Sequence, residues 1–143
     1  MTIILFISAH VSARMKTLTR IVLFLLALVS VDMNGLKLYN DTQGHEAGDT
    51  ALKTVSAVLW ENCGPSGVVY RVGGDEFIIL YKSAGDVEPL EAIAAMREKM
   101  AQTPYVCAFG YAAKKGKSVE DAVRRADAEM YADKAALKNK ENE

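Results

Sequence analysis

Val68-Val69-Tyr70-Arg71-Val72-Gly73-Gly74-Asp75-Glu76-Phe77-Ile78-Ile79-Leu80-Tyr81 is the stretch on which the fold turns. Two runs rich in β-branched and aromatic side chains flank a glycine-led link, the pattern of a β-hairpin. Upstream, Cys63-Gly64-Pro65-Ser66-Gly67 is a breaker cluster that separates the hairpin from the element before it. That element spans 46–62. There Ala51, Leu52, Val55, Val58 and Leu59 fall at i, i+1, i+4, i+7 and i+8, the spacing of an amphipathic helix.

Further out, Leu26 to Val31 is a short apolar run that stops at Asp32, as in a strand buried on both faces. Downstream, Pro89 suits the first turn of a helix running to about Ala101. Tyr105 to Tyr111 is strand-like. Ser118-Val119-Glu120-Asp121 is a capping signal for a last helix to about Leu137, with Val119, Ala122, Val123, Ala126 and Met130 as its apolar stripe. The Lys/Glu/Asn tail at 138–143 is expected to fray. The order strand, helix, hairpin, helix, strand, helix predicts an α+β domain with helices packed on a central sheet. A mixed sheet is expected, because the hairpin is antiparallel while strand–helix–strand crossovers favour parallel neighbours.

The composition agrees. The chain has 143 residues, 50% hydrophobic and 24% charged, which supports one domain with one core and excludes an intrinsically disordered chain. A formal charge of −1 gives no global attraction to nucleic acid or anionic lipid, so an anion site must be a local cluster. Cys63 and Cys107 are too few for a disulfide framework and lack metal-site spacing; core filler in a reducing cytoplasm is the simpler reading. The segment 1–25 is atypical and apolar, with runs at 3–7 and 21–29 around Arg14, Lys16 and Arg20. Neither run reaches the roughly 20 residues of a membrane span, and the charges follow the first run instead of preceding it. Buried strand or helix material is favoured over a membrane anchor, and the domain proper is assigned to 26–140.

Three acids stand out. Asp32 ends the apolar strand, where open sheets place their ligands. Asp75 and Glu76 follow two glycines that let the backbone bend and a ligand approach closely. Taken alone, Gly73-Gly74-Asp75-Glu76 reads as a polar turn. If the hairpin lies beside the first strand, the carboxylates meet at one edge, and hard oxygen ligands of this kind suit Mg²⁺ with substrate phosphates. Residues 32–49 are polar and glycine-rich; a solvated loop with Asp49 as a helix cap explains the polarity but not the length. Asn and Asp side chains there can together read a purine edge. Lys134 and Lys138 follow the last apolar stripe by one and two turns, and Arg71 precedes the glycines. Three cations near a carboxylate pair fit a metal–triphosphate site, or equally well snorkelling lysines at a helix end.

Four elements in order resemble the GGDEF family of diguanylate cyclases over roughly 27–138. They are Asp32-x-Asn34-Gly35-x-Lys37-x-x-Asn40-Asp41, Gly44-His45-x-x-Gly48-Asp49, Arg71-x-Gly73-Gly74-Asp75-Glu76-Phe77 and Ala126-Asp127-x-x-Met130-Tyr131-x-x-Lys134. The resemblance implies the palm fold of nucleotide cyclases and polymerases, and condensation of two GTP into cyclic di-GMP with release of two pyrophosphates. It implies Mg²⁺ (or Mn²⁺) on Asp32, Asp75, Glu76 and the main-chain carbonyl of Met33, with Asp32, Asp75 and Glu76 as catalytic groups. Asn40 and Asp49 would hold the guanine edge. Lys37, Lys134 and Lys138 would hold phosphates, assisted by main-chain N–H groups near Gly35 and Leu36 and by Gly73, Gly74 and Arg71. Each protomer would hold one GTP, so turnover would need a homodimer. His45 is expected to be structural and His10 incidental.

The pattern departs from the family in three places. Only Leu18-Thr19-Arg20 echoes the usual opening Asp-x-Leu-Thr-Gly-Leu-x-Asn-Arg segment. Asn34 and Leu36 replace an acid and an aromatic without removing a metal ligand. Gly64 and Gly67 stand where many members carry an Arg-x-x-Asp product site, which predicts no feedback inhibition there. Two rival readings are a catalytically silent domain that binds GTP or a partner protein, and a membrane-tethered signalling fragment anchored through 1–31.

Overall fold

The computed structural model describes residues 27–82, 87–114 and 118–142. In chain order these form β1 (Ala27–Met33), α1 (Leu36–Gln43), α2 (His45–Asn62), β2 (Gly67–Arg71), β3 (Glu76–Tyr81), α3 (Val87–Met100), β4 (Cys107–Ala113) and α4 (Val119–Glu141). The expectations for 1–25 and for His10 lie outside the described residues.

The strand order is β2-β3-β1-β4. The architecture is α+β, with helices on a central sheet, but the expectation of mixed pairing needs correction: every pairing among the described residues is antiparallel. Both crossovers do return the chain parallel to the strand they left. A third strand lies between in each case. β3 separates β1 from β2, and β1 separates β3 from β4. This is a split βαβ arrangement used twice.

Every residue of β1 is buried, so its apolar run reflects helices on both sides. On one face, Val29, Val31, Met33, Ile79 and Tyr81 pack with Val55 and Leu59 of α2 and Met96 and Met100 of α3. On the other, Leu28 and Ala112 meet Ala122, Val123 and Ala126 of α4. The stripe expected for the last helix is therefore the face that docks. Both cysteines are buried and free, and burial, chiefly, pushes the Cys107 thiol up to about 12.

Gly110 sets how close α4 comes to the sheet. A Cβ there would overlap the Ala126 carbonyl oxygen and the Met130 amide nitrogen. Along the outer edge of β4, the Phe109 and Tyr111 N–H groups donate to Asp133 Oδ2 (2.8 Å) and Glu129 Oε2 (3.0 Å) of α4. The edge is thus satisfied by side chains rather than left open for another strand. Arg97 of α3 closes the same edge, 3.0 Å from Asp133 and over the Phe109 ring.

Three local readings also change. The polar stretch after Asp32 contains α1, which the loop reading did not foresee. Asp49 is not a cap, because α2 starts at His45 behind Gly44. The terminal tail does not fray at 138: α4 runs to Glu141, for no proline or glycine interrupts a lysine-rich last turn that complements the helix dipole. Ser118 caps α4 as its sequence predicts, its hydroxyl oxygen accepting from the Asp121 N–H at 3.1 Å.

Candidate active site

The antiparallel register of β1 and β3 sets Asp32 directly opposite Glu76. Asp75 precedes Glu76 in the hairpin link, where its carbonyl accepts from the Met33 N–H at 2.8 Å. The hairpin is therefore tied to the end of β1, and the three acids expected at one edge meet there. Asp32, Asp75 and Glu76 each bring one carboxylate oxygen within 4.8 Å of the others, the one such group among the described residues. The link owes its shape partly to Arg71. Its Nε donates to the Gly73 and Gly74 carbonyls and its Nη2 to Gly74 at 2.8 Å, so this cation braces the turn.

Electrostatics at the cluster follow from burial. Asp32 is buried, and desolvation raises its pKa above the ordinary carboxylate value; the neighbouring Asp75 adds to the rise, while the Lys134 hydrogen bond and the Lys138 charge oppose it. Burial raises Glu76 in the same way, reinforced by Asp32, Asp75 and Asp127. Packed carboxylates that resist ionisation are a set a divalent cation would stabilise. The donor set is all hard oxygen, which fits Mg²⁺ or Mn²⁺.

Lys134 Nζ donates to Asp32 Oδ1 at 3.1 Å. The pair joins α4 to β1 across 102 positions of sequence and is mostly shielded from solvent. Lys138, one turn on, is exposed but close enough to act on Asp32. Lys138 lies in the last turn of α4, where cations are favoured, and Lys134 one turn before it.

On the opposite side, Gly35 has φ +76° and starts α1 with no side-chain cap. The first amides of that helix, from Leu36 and Lys37, are donors of the kind that seat phosphates. Leu36 is buried beneath them and Lys37 is exposed. Asn34 Oδ1 is buried without a hydrogen-bond partner, two residues beyond Asp32. Gly44, at φ +89°, turns the chain from α1 into α2. At that corner Gly48 is buried against the Asn40 carboxamide, and a Cβ on Gly48 would overlap it, so the glycine preserves the position of Asn40. Asp49 is exposed on the next position of α2, as is His45 at its start.

The profile described as "Diguanylate cyclase, GGDEF domain" matches residues 6–140. The chain belongs to the GGDEF family. Among relatives of this GGDEF chain, Diguanylate cyclase DosC of Escherichia coli K12 is 36% identical over 85 residues, which is 59% of this chain and 18% of that protein. Diguanylate cyclase DgcZ of the same organism is 43% identical over 67 residues, or 47% of this chain and 23% of that protein. The chain thus spans about a fifth of the length of these curated relatives. Among solved structures, the active GGEEF domain of a diguanylate cyclase from Vibrio cholerae superposes with a TM-score of 0.71 at 26% identity, covering 87% of this chain and 83% of that one. The GGDEF domain of DgcB from Caulobacter crescentus, solved in complex with c-di-GMP, gives 0.69 at 26% identity over 78% and 72%.

Two polar residues at this site carried no role in the sequence reading. Ser30 Oγ donates to Asp127 Oδ1 at 2.7 Å, two residues before Asp32 on β1. Ser30 was visible as the one hydroxyl in an apolar strand, and Asp127 as an acid seven residues before Lys134.

Proposed function

We propose that this chain is a diguanylate cyclase that condenses two GTP into cyclic di-GMP. The observation that carries the reading is the convergence of Asp32, Asp75 and Glu76 with the Lys134 ammonium on Asp32. In each half-reaction the 3′-oxygen of one GTP attacks the α-phosphorus of the other, and pyrophosphate leaves. Mg²⁺ held by Asp32, Asp75, Glu76 and the Met33 carbonyl would neutralise charge on the phosphates and favour ionisation of the attacking hydroxyl.

The protein's own groups supply position and charge. Lys134 and Lys138, with Lys37 and the α1 amides near Gly35 and Leu36, hold the triphosphate between lysine ammonium groups of α4 and the amino end of α1. Gly73 and Gly74, braced by Arg71, leave room for phosphate beside the acids. Asn40 and Asp49 read the guanine edge from the α1–α2 corner, where an amide donates and accepts and a carboxylate accepts. One protomer seats one GTP, so a homodimer brings the two nucleotides face to face and the dilute rate is second order in protein. The domain that does this is 26–140, acting in the cytoplasm where GTP is supplied.

We also propose that no product inhibition operates at the turn before β2. Gly64 there has φ +87°, and Ser66 N and Oγ donate to Glu88 at 2.7 and 2.6 Å. The turn is closed by an acid of α3, which repels an anionic nucleotide.

The test is GTP turnover with Mg²⁺ at high protein concentration, with products separated by chromatography, beside Asp75→Ala. Cyclic di-GMP from the wild type alone is expected. A folded wild type that binds GTP yet forms no product would favour the silent binding module.

A further inference from the structure

We infer that Asp127, through Ser30, is a positioning residue that sets the rotation of α4 and so delivers Lys134 to the acidic cluster. The inference rests on the cyclase reading for its meaning in turnover, but its geometry stands apart from that reading.

Ser30 is 1% exposed, and with Asp32 it is one of two buried polar residues of the described core. A buried hydroxyl needs a partner, since leaving its bond unmade exposes the full cost of desolvating it. Asp127 supplies it at 2.7 Å. Ser30 and Asp32 lie two positions apart on the α4 face of β1. Asp127 and Lys134 lie seven apart, two turns, on the face of α4 that meets it. The two strand residues therefore engage the two helix residues in order, as two pins along one line.

The row through Ser30 is also where α4 comes nearest the sheet. Ser30 pairs with Gly110 across β1 and β4, and Gly110 leaves no space for a Cβ beneath Ala126 and Met130. Close contact fixes the depth of the helix but not its rotation. The apolar residues that dock it are Ala122, Val123, Ala126 and Met130, mostly small and with little shape to resist turning. A rotation of about 20° moves a side-chain tip about 6 Å from the axis by roughly 2 Å. That displacement would break the 3.1 Å Lys134–Asp32 bond. The Asp133 and Glu129 bonds to the Phe109 and Tyr111 N–H groups hold α4 at the β4 edge, and the Ser30–Asp127 bond is the one that resists the rotation over β1, on the strand that carries Asp32.

The test uses the full chain with ¹³Cε-labelled lysine, with Lys134→Arg assigning the Lys134 signal. In Ser30→Ala and Asp127→Ala, the Lys134 signal moves to the position of exposed lysines while the amide spectrum stays dispersed. Asp127→Asn, which keeps an acceptor for Ser30 and removes the charge, leaves it in place. Where wild-type turnover is measurable, kcat falls at least tenfold in Asp127→Ala and Ser30→Ala and stays within about twofold in Asp127→Asn. If Asp127→Ala does not fold, Ser30→Ala carries the test. A Lys134 signal unmoved in the alanine variants overturns the inference, and so does unchanged turnover once that signal is lost. Damage in Asp127→Asn equal to that in Asp127→Ala also overturns it, because charge rather than position would then be acting. A wild type without turnover counts against the cyclase reading alone, and the Lys134 signal still decides the positioning role.

Discussion

The two faces of the sheet are built to different ends. Beneath α2 and α3, Val29, Val31, Met33, Val55, Leu59, Ile79 and Met96 form a continuous apolar layer. Beneath α4 the apolar contact is smaller, and the Ser30–Asp127 and Lys134–Asp32 bonds complete it. The first face holds the fold by burial, which is non-directional and tolerant of small displacements. The second holds a geometry, which depends on directed bonds and one close approach. Both share β1, so a strand anchored in the apolar layer presents Asp32 to the other side.

The sharpest separation of the two comes from Asp75→Ala. It removes one of the three clustered carboxylates at the hairpin link while leaving both core faces intact. Cyclic di-GMP formation is expected to fall at least a thousandfold, about 4 kcal/mol of transition-state stabilisation, with the thermal midpoint unchanged or raised because a crowded negative charge is gone. A large drop in the midpoint would show that the site is also a structural element, and the comparison would fail.

Leu59→Ala probes the opposite face. Leu59 is fully buried, and truncation there is expected to cost about 2–5 kcal/mol in urea unfolding. Turnover per folded molecule should stay near the wild-type rate. Gly110→Ala lies between these cases. The added methyl would overlap the α4 backbone and force the helix outward, costing roughly 1–3 kcal/mol. Because α4 carries Lys134, turnover should fall by more than the folded fraction does. Loss of stability alone would mean that α4 shifts without disturbing the site.

How much of this was legible in the sequence follows the same division. Features set by local pattern could be read: the hairpin from its β-rich runs, α2 from its spacing, the Ser118 cap, and the apolar stripe of α4. The meeting of Asp32 with Asp75 and Glu76 was readable as a condition, needing only that the hairpin lie beside β1. The antiparallel neighbours were not, because the crossover rule concerns the strand a connection leaves and the one it reaches, not which strand slips between them. The helix α1 was hidden because its eight residues are mostly polar, bury only Leu36 and fall short of the roughly 11 needed to read a helical period. The Ser30–Asp127 bond spans 97 positions, and no local pattern marks such a pair.

The gentlest of these effects is a slope with pH, and it isolates the directed face. Burial raises the folded-state pKa of Asp32 and Glu76 above their ordinary values of 3.8 and 4.5. In the window that opens at those values and extends upward, the folded state keeps protons that the unfolded chain has released. Stability contributed by these groups therefore falls as pH rises through that window. The comparison is made against Asp32→Asn and Glu76→Gln, which isolates these two groups. Without divalent metal, the wild type should lose stability relative to both variants as pH rises above those ordinary values in urea unfolding. Added Mg²⁺ binds the ionised carboxylates of the folded state only and should shrink or reverse that difference. A difference that is flat with pH and indifferent to Mg²⁺ would mean that the carboxylates are neither strained by their proximity nor relieved by a cation, and the directed face would lose its electrostatic basis.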